Sequence, residues 1–106
     1  MDRSDVIKLI PVTYAKDTRG VMKPTEGEPV EVLCEVDSVS RQEFFEGGRN
    51  GLNPEFVFRV FFGDYNDERL LEYKGKRYSV YRTYLGRSDY VELYAERKGG
   101  TNGKTD

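Results

Sequence analysis

The most regular pattern of apolar and polar positions in the chain is the alternation of Val30 to Val36, "VEVLCEV". Val30, Val32, Cys34 and Val36 share one face, while Glu31, Leu33, Glu35 and Asp37 share the other. That is the period of a strand with one buried side. Cys34 therefore belongs inside, as a small hydrophobe and not as a reactive thiol. Upstream, "VIKLIPVTY" (Val6 to Tyr14) is also β-rich, with Val6, Ile10, Val12 and Tyr14 on one parity. Pro11 has no N–H for a ladder, so this strand is expected at a sheet edge or with a bulge. Between the two runs, "AKDTRGVMKPTEGEP" is broken by glycine and proline and reads as a hairpin connection or an exposed loop.

A different pattern follows. Ser40-Arg41-Gln42-Glu43 fits a capping box, and Val39 with Phe44 fits the hydrophobic staple around it. A helix is expected from about Arg41 to Glu46, ended by Gly47-Gly48, with "RNGLNP" continuing as loop to Pro54. So short a helix must be held by packing, and Phe44 or Phe45 on the core is the expected anchor. "EFVFRVFFG" is then apolar on both parities: Phe56, Phe58, Val60 and Phe62 on one, Val57 and Phe61 on the other. Cover on both faces is expected, by the helix or by another protein.

From Leu70 the chain reads as a three-stranded meander, with tight turns at Lys74-Gly75 and at Gly86-Arg87-Ser88-Asp89. In its last strand Val91, Leu93 and Ala95 face inward, and Tyr90, Glu92, Tyr94 and Glu96 face out. The middle strand has no clear parity, since Tyr78, Val80 and Tyr84 oppose Tyr81, Thr83 and Leu85. The fold class expected is mainly β: a small antiparallel β-barrel or sandwich of five to six strands with one short helix. One domain spans residues 1–98, and the tail "GGTNGKTD" has nothing to bury and is expected to be disordered.

Composition narrows the chemistry. The chain has 106 residues, one cysteine, no histidine and a net charge of −2. One cysteine permits neither an internal disulfide nor a multi-thiolate metal site, and the lack of histidine removes the usual triads and imidazole zinc sites. No phosphate-cradling glycine loop occurs, because "EGGRNG" lacks the Lys-Ser/Thr ending and follows a helix. "DYNDE" (Asp64 to Glu68) is too short for a calcium loop and reads as a turn with local side-chain bonding. The expectation is no enzyme, no catalytic residue, no metal and no cofactor. No apolar run approaches the ~20 residues of a membrane helix, and the start "MDRSD" lacks signal-peptide order. Synthesis in the cytoplasm without membrane contact is expected, unless a larger particle carries the protein out.

Aromatic residues are abundant: eight Tyr and six Phe, with no Trp. Tyr90 and Tyr94 on the outer parity, with Tyr78, Tyr81 and Tyr84 alongside, exceed what one small core can bury. Tyrosine supplies contact area with a polar end, so these five are candidate interface residues.

At this point the chain resembles a family. "SRQEFFEGGRNGLNPEFVFRVFFGDY", "LEYKGKRYSVYRTY" and "DYVELYAERK" are similar to the head–tail joining proteins of long-tailed bacteriophages, also called head-closure or stopper proteins. The resemblance runs from Ile7 to Lys98. It implies a small β-barrel that assembles as a homo-oligomeric ring below the portal and its adaptor, while small size, balanced charge and polar termini suit a chain that is monomeric until it docks. The ring closes the DNA channel after packaging and presents a surface to the tail-completion protein. It implies a virion location and no catalytic residues. A loop that can reach into the channel, and alone touch packaged DNA, would here be Gly47, Gly48, Arg49, Asn50, Gly51, Leu52 and Asn53.

The competing reading is a nucleic-acid-binding barrel, for which "YKGKRYSVYRTYLGR" interleaves basic and aromatic residues as on a stacking platform. Lys74, Lys76 and Arg77 lie at one end of its strand and Arg87 at the other, some 30 Å apart at ~3.3 Å per residue. With no basic excess to join them, that reading is the weaker.

Overall fold

Pro11 splits the first apolar run into two strands, β1 (Asp5–Ile10) and β2 (Val12–Lys16), which enter different sheets. The computed structural model describes residues 5–86 and 89–98. The start at 1–4, Arg87 and Ser88 of the expected second turn, and the expected tail at 99–106 lie outside the described residues. In β1 the buried residues are Ile7, Leu9 and Ile10, and Val6 is exposed. The parity expected for this run is therefore corrected: a break at Pro11 uncouples β1 from β2, and Ile7 with Leu9 sets the register alone.

β2 pairs with β3 (Met22–Glu26) as an antiparallel ribbon. Its turn is built by Asp17, whose carboxylate accepts the N–H groups of Arg19 at 2.8 Å and Val21 at 2.9 Å. Gly20 supplies the left-handed residue, with φ of 81°. These two strands are additional to the expected five or six.

The remaining elements are β4 (Val30–Ser38), α1 (Arg41–Arg49), β5 (Pro54–Phe61), β6 (Leu70–Tyr73), β7 (Lys76–Leu85) and β8 (Tyr90–Arg97). Six strands close into an antiparallel barrel in the order β1-β4-β5-β8-β7-β6, with β6 returning to β1. The meander is as expected, and Lys74 and Gly75 both take positive φ in the β6–β7 turn. β4 keeps its alternation in the middle, with Val32 and Cys34 buried and Leu33 exposed, but Val30 at its start is 50% exposed and Val36 is only partly buried, because the strand ends run past the core.

β7 resolves its ambiguous parity with a bulge between Val80 and Arg82. Before it, Tyr78 and Val80 are buried. After it, Thr83 pairs with Leu93 and Leu85 with Val91, so the register passes to odd numbers, although Thr83 and Leu85 are both exposed at the end of the strand. The strand thus has two parities, one on each side of the bulge, and only the first is buried.

The barrel interior is filled by Phe58, Ile7, Leu9, Leu71, Leu93, Val60 and Cys34, all fully buried. Around Phe58 lie the rings of Phe56, Tyr73 and Tyr78, with centroids 5.3 to 6.4 Å apart. Tyr78 is 2% exposed. It is thus a core residue and not an interface one, because it precedes the bulge and shares the inward face with Val80.

Cover on the outer side of β5 is only partial. Val57 is buried beside α1, but Phe61 and Phe62 stay exposed beyond the helix. Phe62 leaves the strand in a 3-10 turn (Phe62–Asp64), after which Tyr65 donates to the Glu68 carbonyl at 2.7 Å. The Glu68 carboxylate accepts from Asn66 N–H at 2.8 Å, the local bonding expected of that turn.

The helix departs from expectation twice. It runs through Gly47 and Gly48 to Arg49, and Phe44 and Phe45 are 49% and 59% exposed, packed edge-on against each other. Neither phenylalanine anchors it. Gly47 does not stop the helix but lets it approach β5: a Cβ there would lie 2.4 Å from Pro54 Cγ. A Cβ on Gly48 would meet nothing. Gly47→Ala is therefore expected to destabilise the fold by about 1–3 kcal/mol through overpacking. Gly48→Ala is expected to stabilise it by up to ~1 kcal/mol through helix propensity. Urea denaturation of the two variants checks the opposite signs.

Cys34 is 0% exposed, and burial pushes its thiol pKa up to about 12. It is expected to resist a thiol reagent in the native protein at neutral pH and to react promptly in denaturant. Rapid native labelling would mean that β4 is out of register by one residue.

Candidate interaction surface

Ser40 caps α1 in the expected way, its Oγ accepting the Glu43 N–H at 3.0 Å. The Glu43 carboxylate, however, does not turn back to the cap. It crosses to β7, where it accepts the Tyr81 hydroxyl at 2.5 Å and Arg82 Nη2 and Nε at 2.7 and 3.2 Å. Alternation would place Tyr81 and Arg82 on opposite faces. The bulge brings both to one carboxylate.

The contacts continue around the barrel. The Arg82 guanidinium lies 3.7 Å from the Tyr94 ring centroid, and the Tyr94 hydroxyl donates to Glu92 Oε1 at 2.8 Å. Glu92 Oε2 accepts Arg59 Nε at 3.0 Å, and Arg59 Nη1 donates to Asp37 at 2.6 Å. One chain of charge-assisted contacts thus joins α1, β7, β8, β5 and β4. It borders an open groove of about 500 Å³ whose lining includes Ser40, Gln42, Val57 and Arg59.

The electrostatics follow from the partners. Arg82, with Tyr81, holds the Glu43 carboxyl below its ordinary range. Burial first, and then the Glu43 carboxylate, push the Tyr81 phenol up. Burial and then Glu92 do the same to Tyr94.

The segment after the helix is more ordered than its glycines suggested. Gly51 takes φ of 80°, its N–H donates to Gly48 O at 3.1 Å, and Leu52 N–H donates to Gly47 O at 2.8 Å. This is a complete Schellman ending, with Gly51 as the left-handed residue. Asn53 N–H is held by Glu96 Oε1 at 3.0 Å. Of the expected channel loop, Gly47, Gly48 and Arg49 are helical, Asn50 is the C-cap, and only Gly51, Leu52 and Asn53 lie beyond it. The correction has a legible cause: "NGL" carries the Schellman signature, whereas Gly47 is small for packing.

The five candidate tyrosines do not form one patch. Tyr81 and Tyr94 join the network, and Tyr78 is in the core. Tyr84 is exposed, and half-buried Tyr90 meets Phe61 edge-on with centroids 6.5 Å apart. Exposed apolar residues that the pattern did not single out include Phe44 and Phe45 on α1, Val6 paired with Leu33, and Leu85. Of the basic residues near the β6–β7 turn, Arg77 is paired with Glu26 at 2.5 Å. No group of three or more His, Cys, Asp or Glu side chains among the described residues could hold a metal ion, and no described helix is long and apolar enough to cross a membrane.

No protein-family model matches the chain, and no curated protein matches it.

Glu43→Gln should lower stability, with a coupling to Arg82→Met of roughly 1 kcal/mol in a double-mutant cycle. The folded pKa of Glu43 is depressed, so its contribution is full above the unfolded value of about 4.3 and is lost as pH falls through the folded one. The gap between wild type and Glu43→Gln is therefore expected to be constant near neutrality and to close below about pH 4. Urea titrations at several pH values measure it.

Proposed function

We propose that the protein is a structural part of a bacteriophage neck, docking as a ring below the portal and its adaptor. There it closes the DNA channel after packaging and offers the surface to which the tail attaches. The proposal rests on the resemblance of the chain to head-closure proteins, and one structural observation supports it most. α1 is fixed at its start by Glu43 and at its end by the Schellman motif, yet it holds Phe44 and Phe45 out to solvent. A rigid helix displaying two apolar rings is suited to docking, since little freedom remains to be lost on binding.

Residues 50–53 form the tip of that unit and are the part we assign to the channel. The segment from Ser40 to Pro54 carries Arg41 and Arg49 against Glu43 and Glu46, a net charge of zero. Phosphate gripping would need uncompensated cations, whereas an obstructing tip does not. Tyr84 and Tyr90 supply further contact area toward the neighbouring neck proteins.

Phe44→Ser combined with Phe45→Ser removes rings that are about half exposed and stand outside the core, so the protein should stay folded with only a modest loss of thermal stability. Joining to DNA-filled heads should fall at least about tenfold, as for loss of an interface anchor. The DNA retained in purified tailless heads should fall with it. Normal joining and full retention by the double variant would refute the assignment of α1.

A further inference from the structure

β2 and β3 form a ribbon of only five residues each, and an isolated two-stranded ribbon is marginal in water. Val12 is half-buried, while every other residue of the two strands is exposed, Tyr14 at 65% and Met22 at 53%. The phase of the ladder decides which backbone groups point away from it. Gly27 N–H donates to Pro11 O at 2.7 Å, and Asp17 N–H donates to Val21 O at 2.9 Å. Hydrogen-bonded and open pairs alternate between these two ends, so Val12↔Glu26, Tyr14↔Pro24 and Lys16↔Met22 are the open pairs.

Two consequences follow for the edges. Pro24 sits where its missing N–H costs the ribbon nothing but deprives the outer edge of β3 of a donor. On β2 the N–H and C=O groups of Val12, Tyr14 and Lys16 point outward, and no described residue pairs with them. The barrel is closed and offers no edge of its own. One ribbon edge is guarded and the other is open.

We propose that β2 pairs antiparallel with β2 of a second copy of this chain, centred on Tyr14. In that register Tyr14 faces the second copy's Tyr14, an aromatic cross-strand pair. Val12 faces the second copy's Lys16, so the one charge on each strand never opposes its like. The outward groups of Val12, Tyr14 and Lys16 all find partners. One row of the joined sheet reads Glu26, Val12, then Lys16 and Met22 of the second copy, so Val12 separates Lys16 from Glu26, which is already paired with Arg77.

The pairing is self-limiting. The four-stranded sheet has β3 on both outer edges, each blunted by Pro24, so it closes as a two-fold dimer. Head-to-tail addition of β2 to the second copy's β3 would meet Pro24 instead, which disfavours a continuous ribbon. Two five-residue strands bury less than the ~1,200 Å² of a standard interface, so the dimer is weak and concentration-dependent. It replaces the monomer expected for the isolated chain. It uses neither α1 nor Tyr84 and Tyr90, and so does not depend on the neck assignment.

Sedimentation of the full-length chain from micromolar to millimolar concentration tests it. A reversible monomer–dimer equilibrium is expected, with Tyr14→Pro abolishing the dimer by removing an outward N–H while the circular dichroism spectrum is kept. Tyr14→Cys decides the matter independently of how Tyr14→Pro folds. In oxidised glutathione it should give a disulfide-linked dimer at least about tenfold faster than Lys16→Cys, whose partner in this register is Val12. Cys34, being buried, does not compete. A monomer at every concentration overturns the proposal, as do a dimer that survives Tyr14→Pro and equal cross-linking at positions 14 and 16.

Discussion

Barrel closure between β1 and β6 is the constraint on which the other features depend. It rests on three residue pairs, Lys8↔Glu72, Leu9↔Leu71 and Ile10↔Leu70. For β1 to reach β6 at one edge and β4 at the other, Ile7 and Leu9 must point inward, which they do at 1% and 0% exposure. Pro11 follows directly. Its missing N–H comes where the chain has to leave the sheet, so the break falls where closure requires it. What leaves is the β2–β3 ribbon. A closed barrel consumes every edge it contains, so any open edge is exported to that ribbon.

The β7 bulge performs the corresponding task on the outer surface. A strand of ten residues that curves around a small barrel gains twist from one extra residue, and here that residue is Tyr81. The same insertion sets Tyr81 and Arg82 side by side under Glu43. Curvature of the barrel and attachment of the helix thus share one backbone irregularity. Phe44 and Phe45 are left free of structural duty because of it. Had both packed on the core, α1 would have had no large apolar side chain to present.

Much of this was legible in the residues, and the failures have physical causes. The alternations of β4 and β8, the capping serine and the Lys74-Gly75 turn could be read directly, because each rests on local geometry. β7 could not be assigned a parity because it has two. Tyr78 is indistinguishable from the outer tyrosines for the same reason: a tyrosine before a bulge and a tyrosine after it look alike in sequence. Gly47 has the look of a stop in sequence, although its role is close approach to Pro54 across the α1–β5 connection, a contact that no local pattern reveals. The stop signal proper lay four residues on, at Gly51.

The surface chemistry of the network residues follows from their pairing. Glu43, Asp37, Glu92, Arg59 and Arg82 are engaged with one another across five elements, so little of their charge is left to recruit a ligand. Such groups fix geometry. Polar groups already satisfied within the fold gain little from a partner, since binding would only exchange one set of contacts for another. Apolar rings held away from the core behave differently, because removing them from water is favourable wherever it happens. Phe44, Phe45, Phe61 and Phe62 are all 41% exposed or more. The ionic network sets where the helix rings stand, and these exposed rings are the groups whose further burial would still gain free energy.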